Sequence, residues 1–173
     1  MTFDKLEVLF PPEEIARRTA ELGKRISSDY RRKKSILAVV LMNGGMFFGV
    51  DLLRSISVPV QLDAISVSSY RNRRSSGELD FRSAMKLDVQ GRHILLIDEV
   101  FDTGFTLGEL RCLMMEQGAS SVRAAVAVVK DVSRPEEVPL PEYVGFHAPD
   151  RYLVGYGMDC DEDGRQLPFI GAL

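Results

Sequence analysis

The stretch 93–106 holds the residue types best suited to chemistry. An apolar run over 93–97 is followed by two adjacent carboxylates, Asp98 and Glu99, and then by Asp-Thr-Gly, which begins at Asp102. A helical pattern starts near the end of this stretch. Because ligands of open α/β sheets bind at the carboxyl ends of the strands, we expect a binding site here.

This stretch combines a cradle for a phosphate with acceptors for hydroxyl groups. Backbone N–H groups of a glycine-containing turn and the positive end of a helix form a phosphate site, and Thr103 and Thr106 add hydroxyl donors. Asp98 and Glu99 would repel a phosphate, so they more sensibly accept hydrogen bonds from ligand hydroxyls or support a divalent cation. A phosphorylated sugar fits both features, because its phosphate suits the turn and its hydroxyl groups suit the carboxylates. An ordinary acidic turn explains only one or two of these residues.

Spacing argues against several other chemistries. The chain has no Walker P-loop pattern. Asp98 and Asp102 stand too far apart for the paired aspartates of a haloacid-dehalogenase phosphatase. The two histidines and two cysteines are not at zinc-ligand spacing, so we expect any metal to have oxygen ligands.

Composition indicates one globular domain in a reducing compartment. With 22 Lys and Arg against 25 Asp and Glu, the formal net charge is −3, which excludes a strongly basic nucleic-acid binder. The 173 residues can bury one sizeable core. The apolar runs are too short to span a membrane and no secretory leader is evident. We therefore expect a single cytoplasmic domain over 1–173, with no membrane contact.

Helix-like and strand-like segments alternate on short connections, which predicts an α/β domain with a central, mainly parallel sheet flanked by helices. The predicted elements are a helix over 11–30, a strand over 35–41, a helix over 46–55, strands over 59–67 and 93–97, a helix from about 106 to 118, and strands over 121–129, 143–146 and 152–156. Prolines after position 134 mark a change of pattern, so we expect a small hood contributed mainly by about 135–173.

A polar segment over 68–77 has no apolar face and predicts a long surface loop. Loops of this length are functional lids or disordered segments. Arg71, Arg73 and Arg74 within it favour an anionic ligand or a phosphate-rich partner over disorder.

The run Ile97-Asp-Glu-Val-Phe-Asp-Thr-Gly-Phe-Thr-Leu107 resembles the phosphoribosyl-pyrophosphate motif of type I phosphoribosyltransferases, in which two acids at a strand end precede Asp-Thr/Ser-Gly-x-Thr. Further segments are similar to the 6-oxopurine branch, the hypoxanthine-guanine phosphoribosyltransferases: Leu41-Met-Asn-Gly-Gly45, Val67-Ser-Ser-Tyr70 with Ser75-Ser-Gly77, Tyr143-Val-Gly-Phe146 and Val154-Gly-Tyr-Gly-Met-Asp159. These matches span nearly the whole chain and imply the type I phosphoribosyltransferase fold.

The resemblance implies where the sugar and the pyrophosphate bind. Asp98 and Glu99 would bind the ribose hydroxyls, and the loop at Asn43 and Gly44, which often has a cis peptide in the family, would bind pyrophosphate together with Arg165. The residues implied for the ribose 5-phosphate are Asp102, Thr103, Gly104, Phe105 and Thr106.

The resemblance also implies Mg²⁺, supported by Asp98, Glu99 and Asp159. The chain departs from the family pattern at two places. Asp precedes Glu in the acid pair, where the family most often has the reverse order, and Asn43 stands where many members have lysine, which removes a positive charge near pyrophosphate.

The remaining implied roles concern the purine. Asp102 would take or share the N7 proton, Lys130 would donate to O6, Tyr152 would stack on the base and main-chain groups at Leu153 would read its edge. The Ser69-Tyr70 segment would close as a lid. Without the motif, a lysine at a strand end is more often an exposed charge and Tyr152 reads as a core aromatic.

Together these features predict a Mg²⁺-dependent enzyme that joins hypoxanthine, and guanine as well, to 5-phosphoribosyl 1-pyrophosphate. We expect it to act as a homodimer or homotetramer and to bind no nucleic acid. Two alternatives stay open: an RNA-binding regulator that keeps the fold and uses Tyr70 with the three nearby arginines, and a catalytically weakened homologue, suggested by Asn43.

Overall fold

The computed structural model of the protein describes residues 6–69, 79–83 and 85–173. The elements in chain order are β1 (Glu7–Phe10), α1 (Pro12–Tyr30), β2 (Ile36–Met42), α2 (Gly45–Arg54), β3 (Val60–Ser69), β4 (Leu79–Phe81), β5 (His93–Phe101), α3 (Phe105–Glu116), β6 (Ser121–Asp131), β7 (Tyr143–Pro149), β8 (Leu153–Val154) and β9 (Ile170–Ala172). Among the described helices, none combines the length and apolar content needed to cross a membrane.

The main sheet has six strands in the order β4-β3-β2-β5-β6-β7. Five of them are parallel, and β4 pairs antiparallel with β3 at one edge. Alternate residues of the central strands enter two separate apolar cores. One core contains residues of α1 and α2, and the other contains residues of α3. Helices therefore cover both faces, which explains the continuous apolar runs and confirms the predicted α/β architecture.

Two strands are longer than their apolar runs. Strand β5 continues to Phe101, because its pairing with β6 extends as far as Phe101 opposite Val129. Backbone pairing thus holds the polar acid pair inside the strand. Strand β3 continues through Ser69 and pairs with β4, so the prediction that the loop begins at Ser68 is wrong. The rest of the predicted loop lies outside the described residues.

A second, small sheet joins the two ends of the chain in the order β1-β9-β8, with antiparallel pairing. Its position is set by contacts with the main sheet and its helices. Phe10 stacks on Phe146 of β7 with ring centroids 4.2 Å apart, and Tyr156 donates a hydrogen bond to Asp51 of α2 at 2.9 Å.

The segment 135–173 is divided between the two sheets. Strand β7 pairs with β6 and completes the main sheet, whereas the small sheet takes β8, β9 and the N-terminal β1. The predicted boundary of the hood near 135 therefore does not coincide with the division between the sheets. A single domain over 1–173 stays a prediction.

Asp63 fastens the segment that follows β4 to the main sheet. Its carboxylate accepts hydrogen bonds from the backbone N–H groups of Lys86 at 2.7 Å, Leu87 at 2.8 Å and Ala64 at 2.8 Å. Burial alone would raise the pKa of Asp63, but the three N–H donors stabilise the charged form more strongly and lower the pKa below its usual value.

Candidate active site

A cavity of about 370 Å³ opens at the carboxyl edge of the main sheet. Residues from five stretches of the described chain line it: 41–44 at and after the end of β2, 66–67 in β3, Arg82 after β4, 98–107 from the end of β5 into the start of α3, and Asp159, Glu162 and Arg165 beside the small sheet. The predicted acid pair, phosphate turn, pyrophosphate loop and Arg165 are therefore brought to one place. The cavity lies at the sheet edge that the sequence predicted.

The turn after β5 has the geometry of an anion site. Gly104 has φ of 83°, and a Cβ there would overlap Phe101 and Val138, so only glycine fits. Helix α3 begins at Phe105, whose N–H donates to the Thr103 hydroxyl at 3.4 Å. The turn thus delivers the N-terminus of α3, with its positive dipole end, to the cavity wall.

The acid pair lines the cavity. Burial raises the pKa of Asp98 well above its usual range, and the charge and hydrogen bond of Glu99 raise it further. One Asp98 oxygen accepts a hydrogen bond from the Glu99 N–H at 2.9 Å, which opposes the rise. A ligand that brings hydroxyl donors or a cation to this pair would relieve the repulsion between the two carboxyls.

The Glu99 side chain leaves no space for a Cβ at Gly44, in the loop after β2. The Met42–Asn43 peptide is cis, as the resemblance implies for this loop. A Cβ on Gly44 would overlap the carboxylate of Glu99, and a Cβ on Gly157 would overlap the carbonyl oxygen of Gly44. Gly44 is therefore held between the acid pair and the small-sheet segment.

Arg165 is held at the cavity by its own segment. Its guanidinium lies 2.8 Å from an Asp159 carboxylate oxygen and 3.1 Å from Glu162, and it donates to the Gly157 carbonyl at 2.8 Å. The side chain is 22% exposed, so the charge faces the cavity without leaving its partners. Asp159, the predicted second metal residue, is thus an ion-pair partner of Arg165.

Within residues 6–69, 79–83 and 85–173, no three carboxylate, imidazole or thiol side chains gather closely enough to hold a metal by themselves. Asp98 and Glu99 are adjacent, whereas Asp159 belongs to another stretch of the cavity wall. A hard divalent cation would therefore need ligand oxygens and water to complete its coordination, which is the usual situation for Mg²⁺.

Of the residues predicted to act on the purine, Asp102 lines this cavity, whereas Lys130, Tyr152 and Leu153 do not. Lys130, near the end of β6, forms an ion pair with Asp150 at 2.8 Å, and its side chain is 16% exposed. The ordinary expectation of an exposed lysine is therefore wrong. Tyr152 is 55% exposed, so the interpretation as a core aromatic is also wrong. Leu153 is buried in β8.

Sequence reasoning missed three residues at or beside the site. Arg82 and Glu162 line the cavity, and Arg134 hydrogen-bonds to the carbonyl of Asp102. None belongs to a recognisable motif or apolar pattern, so only the folded chain reveals their positions. Of the predicted lid, Ser69 is the last residue of β3 and Tyr70 lies outside the described residues.

The chain is similar in sequence to a known protein family and to individual known proteins. Residues 9–161 match the model of the family described as phosphoribosyl transferase domain, so fold and site together define a protein of the phosphoribosyltransferase class. The hypoxanthine-guanine phosphoribosyltransferase of Dictyostelium discoideum is 36% identical over 171 residues, which cover 96% of this chain and 94% of that protein. The chain belongs to the hypoxanthine-guanine phosphoribosyltransferase family.

Solved structures agree with this assignment. A hypoxanthine phosphoribosyltransferase of Staphylococcus aureus superposes with a TM-score of 0.90 and 31% identity, covering 96% of this chain and 90% of that one. The hypoxanthine phosphoribosyltransferase of Trypanosoma cruzi superposes with a TM-score of 0.90 and 30% identity, covering 96% of this chain and 90% of that one. Its structure comes from a study of how its C-terminal region affects oligomeric state and enzymatic activity. These matches confirm the resemblance and the type I phosphoribosyltransferase fold.

Proposed function

We propose that the protein is a purine salvage enzyme. It transfers the 5-phosphoribosyl group from 5-phosphoribosyl 1-pyrophosphate to hypoxanthine or guanine and releases IMP or GMP with pyrophosphate. The observation that carries this proposal is that an acid pair, a phosphate turn and an arginine line one and the same cavity. The names of the relatives support the same substrates.

Different parts of the cavity wall bind different parts of the sugar substrate. The 5-phosphate binds the N–H groups and hydroxyls of 102–106 at the start of α3. The ribose hydroxyls donate to Asp98 and Glu99, which relieves the repulsion within the pair. The pyrophosphate lies between the Asn43-Gly44 loop and Arg165, where backbone N–H groups and a guanidinium offset its charge.

The donor set suits Mg²⁺, since Asp98, Glu99 and Asp159 supply only oxygen ligands. When bound, Mg²⁺ neutralises the pyrophosphate oxygens and makes pyrophosphate a better leaving group. Arg165, already fixed by Asp159 and Gly157, adds a permanent positive charge on the same side.

The transfer step breaks the bond from the anomeric carbon to pyrophosphate and forms the bond from that carbon to N9 of the purine. The transition state has oxocarbenium character, and the charge that develops on pyrophosphate is stabilised by Arg165. Asp102 takes the N7 proton as N9 attacks, and Lys130 donates to O6. Tyr152 stacks on the base and Leu153 reads its edge through the main chain. The role predicted for Ser69 and Tyr70 in excluding water stays a prediction, because Tyr70 lies outside the described residues.

We also infer a cytoplasmic homodimer or homotetramer. The support for an assembly is that oligomeric state is a feature studied in the Trypanosoma cruzi relative. Light scattering coupled to size-exclusion chromatography measures the mass directly. A mass of one chain, about 19.3 kDa, would contradict the inference.

The two alternatives gain no support. The arginines that an RNA-binding regulator would use lie outside the described residues. A weakened homologue rests on Asn43 alone, and the loop around it lines the cavity beside the acid pair.

The purified protein, incubated with Mg²⁺, 5-phosphoribosyl 1-pyrophosphate and one base at a time, tests the function. Chromatography of the products is expected to show nucleotide from hypoxanthine and guanine and little from adenine. Absence of nucleotide with every 6-oxopurine would refute the proposal, and binding of RNA by the same preparation would then favour the regulator.

A further inference from the structure

Arg134 connects two strand ends at the site through backbone carbonyls. Its Nε donates to the carbonyl of Asp102, and one terminal nitrogen donates to the carbonyls of Phe101, at 3.1 Å, and Lys130. The other terminal nitrogen reaches the Val132 carbonyl at 3.4 Å. The guanidinium carbon also lies 5.0 Å from the centre of the Phe101 ring.

These contacts begin where the regular pairing stops. The ladder between β5 and β6 ends with Phe101 opposite Val129. Asp102 is the first residue after β5 and Lys130 is the next residue of β6, and no further rung of that ladder connects them. Arg134 contacts the carbonyls of both residues and therefore replaces the missing rung with hydrogen bonds from one rigid, planar group.

We propose that Arg134 is a positioning residue that sets the separation between Asp102 and Lys130. This inference rests on the proposed function, in which Asp102 takes the N7 proton and Lys130 donates to O6 of the same purine. N7 and O6 are fixed neighbours on a rigid ring, so the two side chains must keep a matching separation. A positioned group that shifts by about 1 Å can lose a large part of its catalytic effect.

Lysine cannot replace Arg134 in this role. Its single ammonium is a compact point charge, whereas the guanidinium presents several N–H donors in a fixed plane and stacks on the Phe101 ring. Arg134→Lys therefore keeps the charge and removes the geometry. Arg134→Gln removes both the charge and the planar geometry. Comparing the two variants therefore separates the contribution of the charge from that of the geometry.

The test compares Arg134→Lys and Arg134→Gln with a matched control, Arg18→Lys. Arg18 also donates to two backbone carbonyls, those of Gly145 at 2.8 Å and Val144 at 2.9 Å, but away from the cavity. We expect kcat for hypoxanthine to fall about 10-fold or more in both Arg134 variants, with KM for 5-phosphoribosyl 1-pyrophosphate changed less than about 3-fold. Arg18→Lys should keep kcat within about 2-fold.

A double-mutant cycle with Asp102→Asn separates positioning from general structural support. If Arg134 acts through Asp102, Arg134→Lys should lower kcat much less in the Asp102→Asn background than in the wild type. An equal loss in both backgrounds, an unchanged kcat, or failure of both Arg134 variants to fold would overturn the inference. A wild-type protein without transferase activity would instead refute the proposed function, so the two failures are distinguishable.

Discussion

Gly44→Ala tests the contact between the pyrophosphate loop and the acid pair with one added methyl group. The new Cβ would overlap the Glu99 carboxylate, and since nonbonded atoms prefer about 3.5 Å, the carboxylate must move by about 1 Å or more. A shift of about 1 Å in a positioned group can lower turnover about 100-fold, and we expect a loss of that order. Gly44 has φ −63° and ψ −47°, which alanine adopts freely, so backbone strain does not contribute.

The matched control is Gly108→Ala in α3, where an added Cβ meets no atom within 4 Å. This variant should keep the wild-type rate and gain about 0.5 to 1 kcal/mol of stability, since alanine favours a helix. Initial rates of IMP formation and Tm are measured for both variants. Because Gly44→Ala displaces only the flexible end of Glu99, its Tm should stay near that of the wild type. A folded Gly44→Ala variant with normal turnover would refute the reasoning.

The proposed roles of Asp102 and Lys130 and the hydrogen bonds of Asp63 can each be tested by one substitution. Asp102→Asn should lower turnover about 100-fold or more while calorimetry still detects binding of 5-phosphoribosyl 1-pyrophosphate; normal turnover would remove Asp102 from the proton transfer. Lys130→Gln should raise KM for hypoxanthine strongly and relax discrimination against adenine, and unchanged kinetics would exclude contact with O6. Asp63→Asn should lower the free energy of unfolding by about 2 kcal/mol at pH 7. Because the folded pKa of Asp63 is lowered, this deficit should shrink as pH falls below about 4, and a deficit independent of pH would contradict the carboxylate's role.

The central strands could be predicted from sequence because each is covered by helices on both faces. Strand β2 has an almost wholly buried apolar sequence, so its pattern is unambiguous. The extension of β5 through Asp98 and Glu99 could not be predicted from hydrophobicity, since it depends on backbone pairing with β6. Strands β1, β4 and β9 are only three or four residues long, and β1 and β9 pair with each other across almost the whole length of the chain, so no local pattern marks them.

The residues of the site also fall into those that the sequence predicts and those that only the folded chain reveals. The motif places Asp98 and Glu99 at the end of a strand and 102–106 in the turn that follows, and these residues do meet in the cavity. Arg134 donates to backbone carbonyl groups, which every residue possesses. Its partners therefore cannot be recognised from their residue types in the sequence. Arg82 likewise reaches the cavity from beyond a short edge strand. Contacts of this kind depend on the folded path of the chain and not on residue type.

Release of pyrophosphate from 5-phosphoribosyl 1-pyrophosphate, measured with Mg²⁺ in the presence and absence of hypoxanthine, tests the central claim most directly. The cavity is proposed to transfer the sugar to a 6-oxopurine and to exclude water. Pyrophosphate should therefore appear only when hypoxanthine is present, in a one-to-one ratio with IMP. Release at the same rate without a base, or no release with hypoxanthine, would contradict the account.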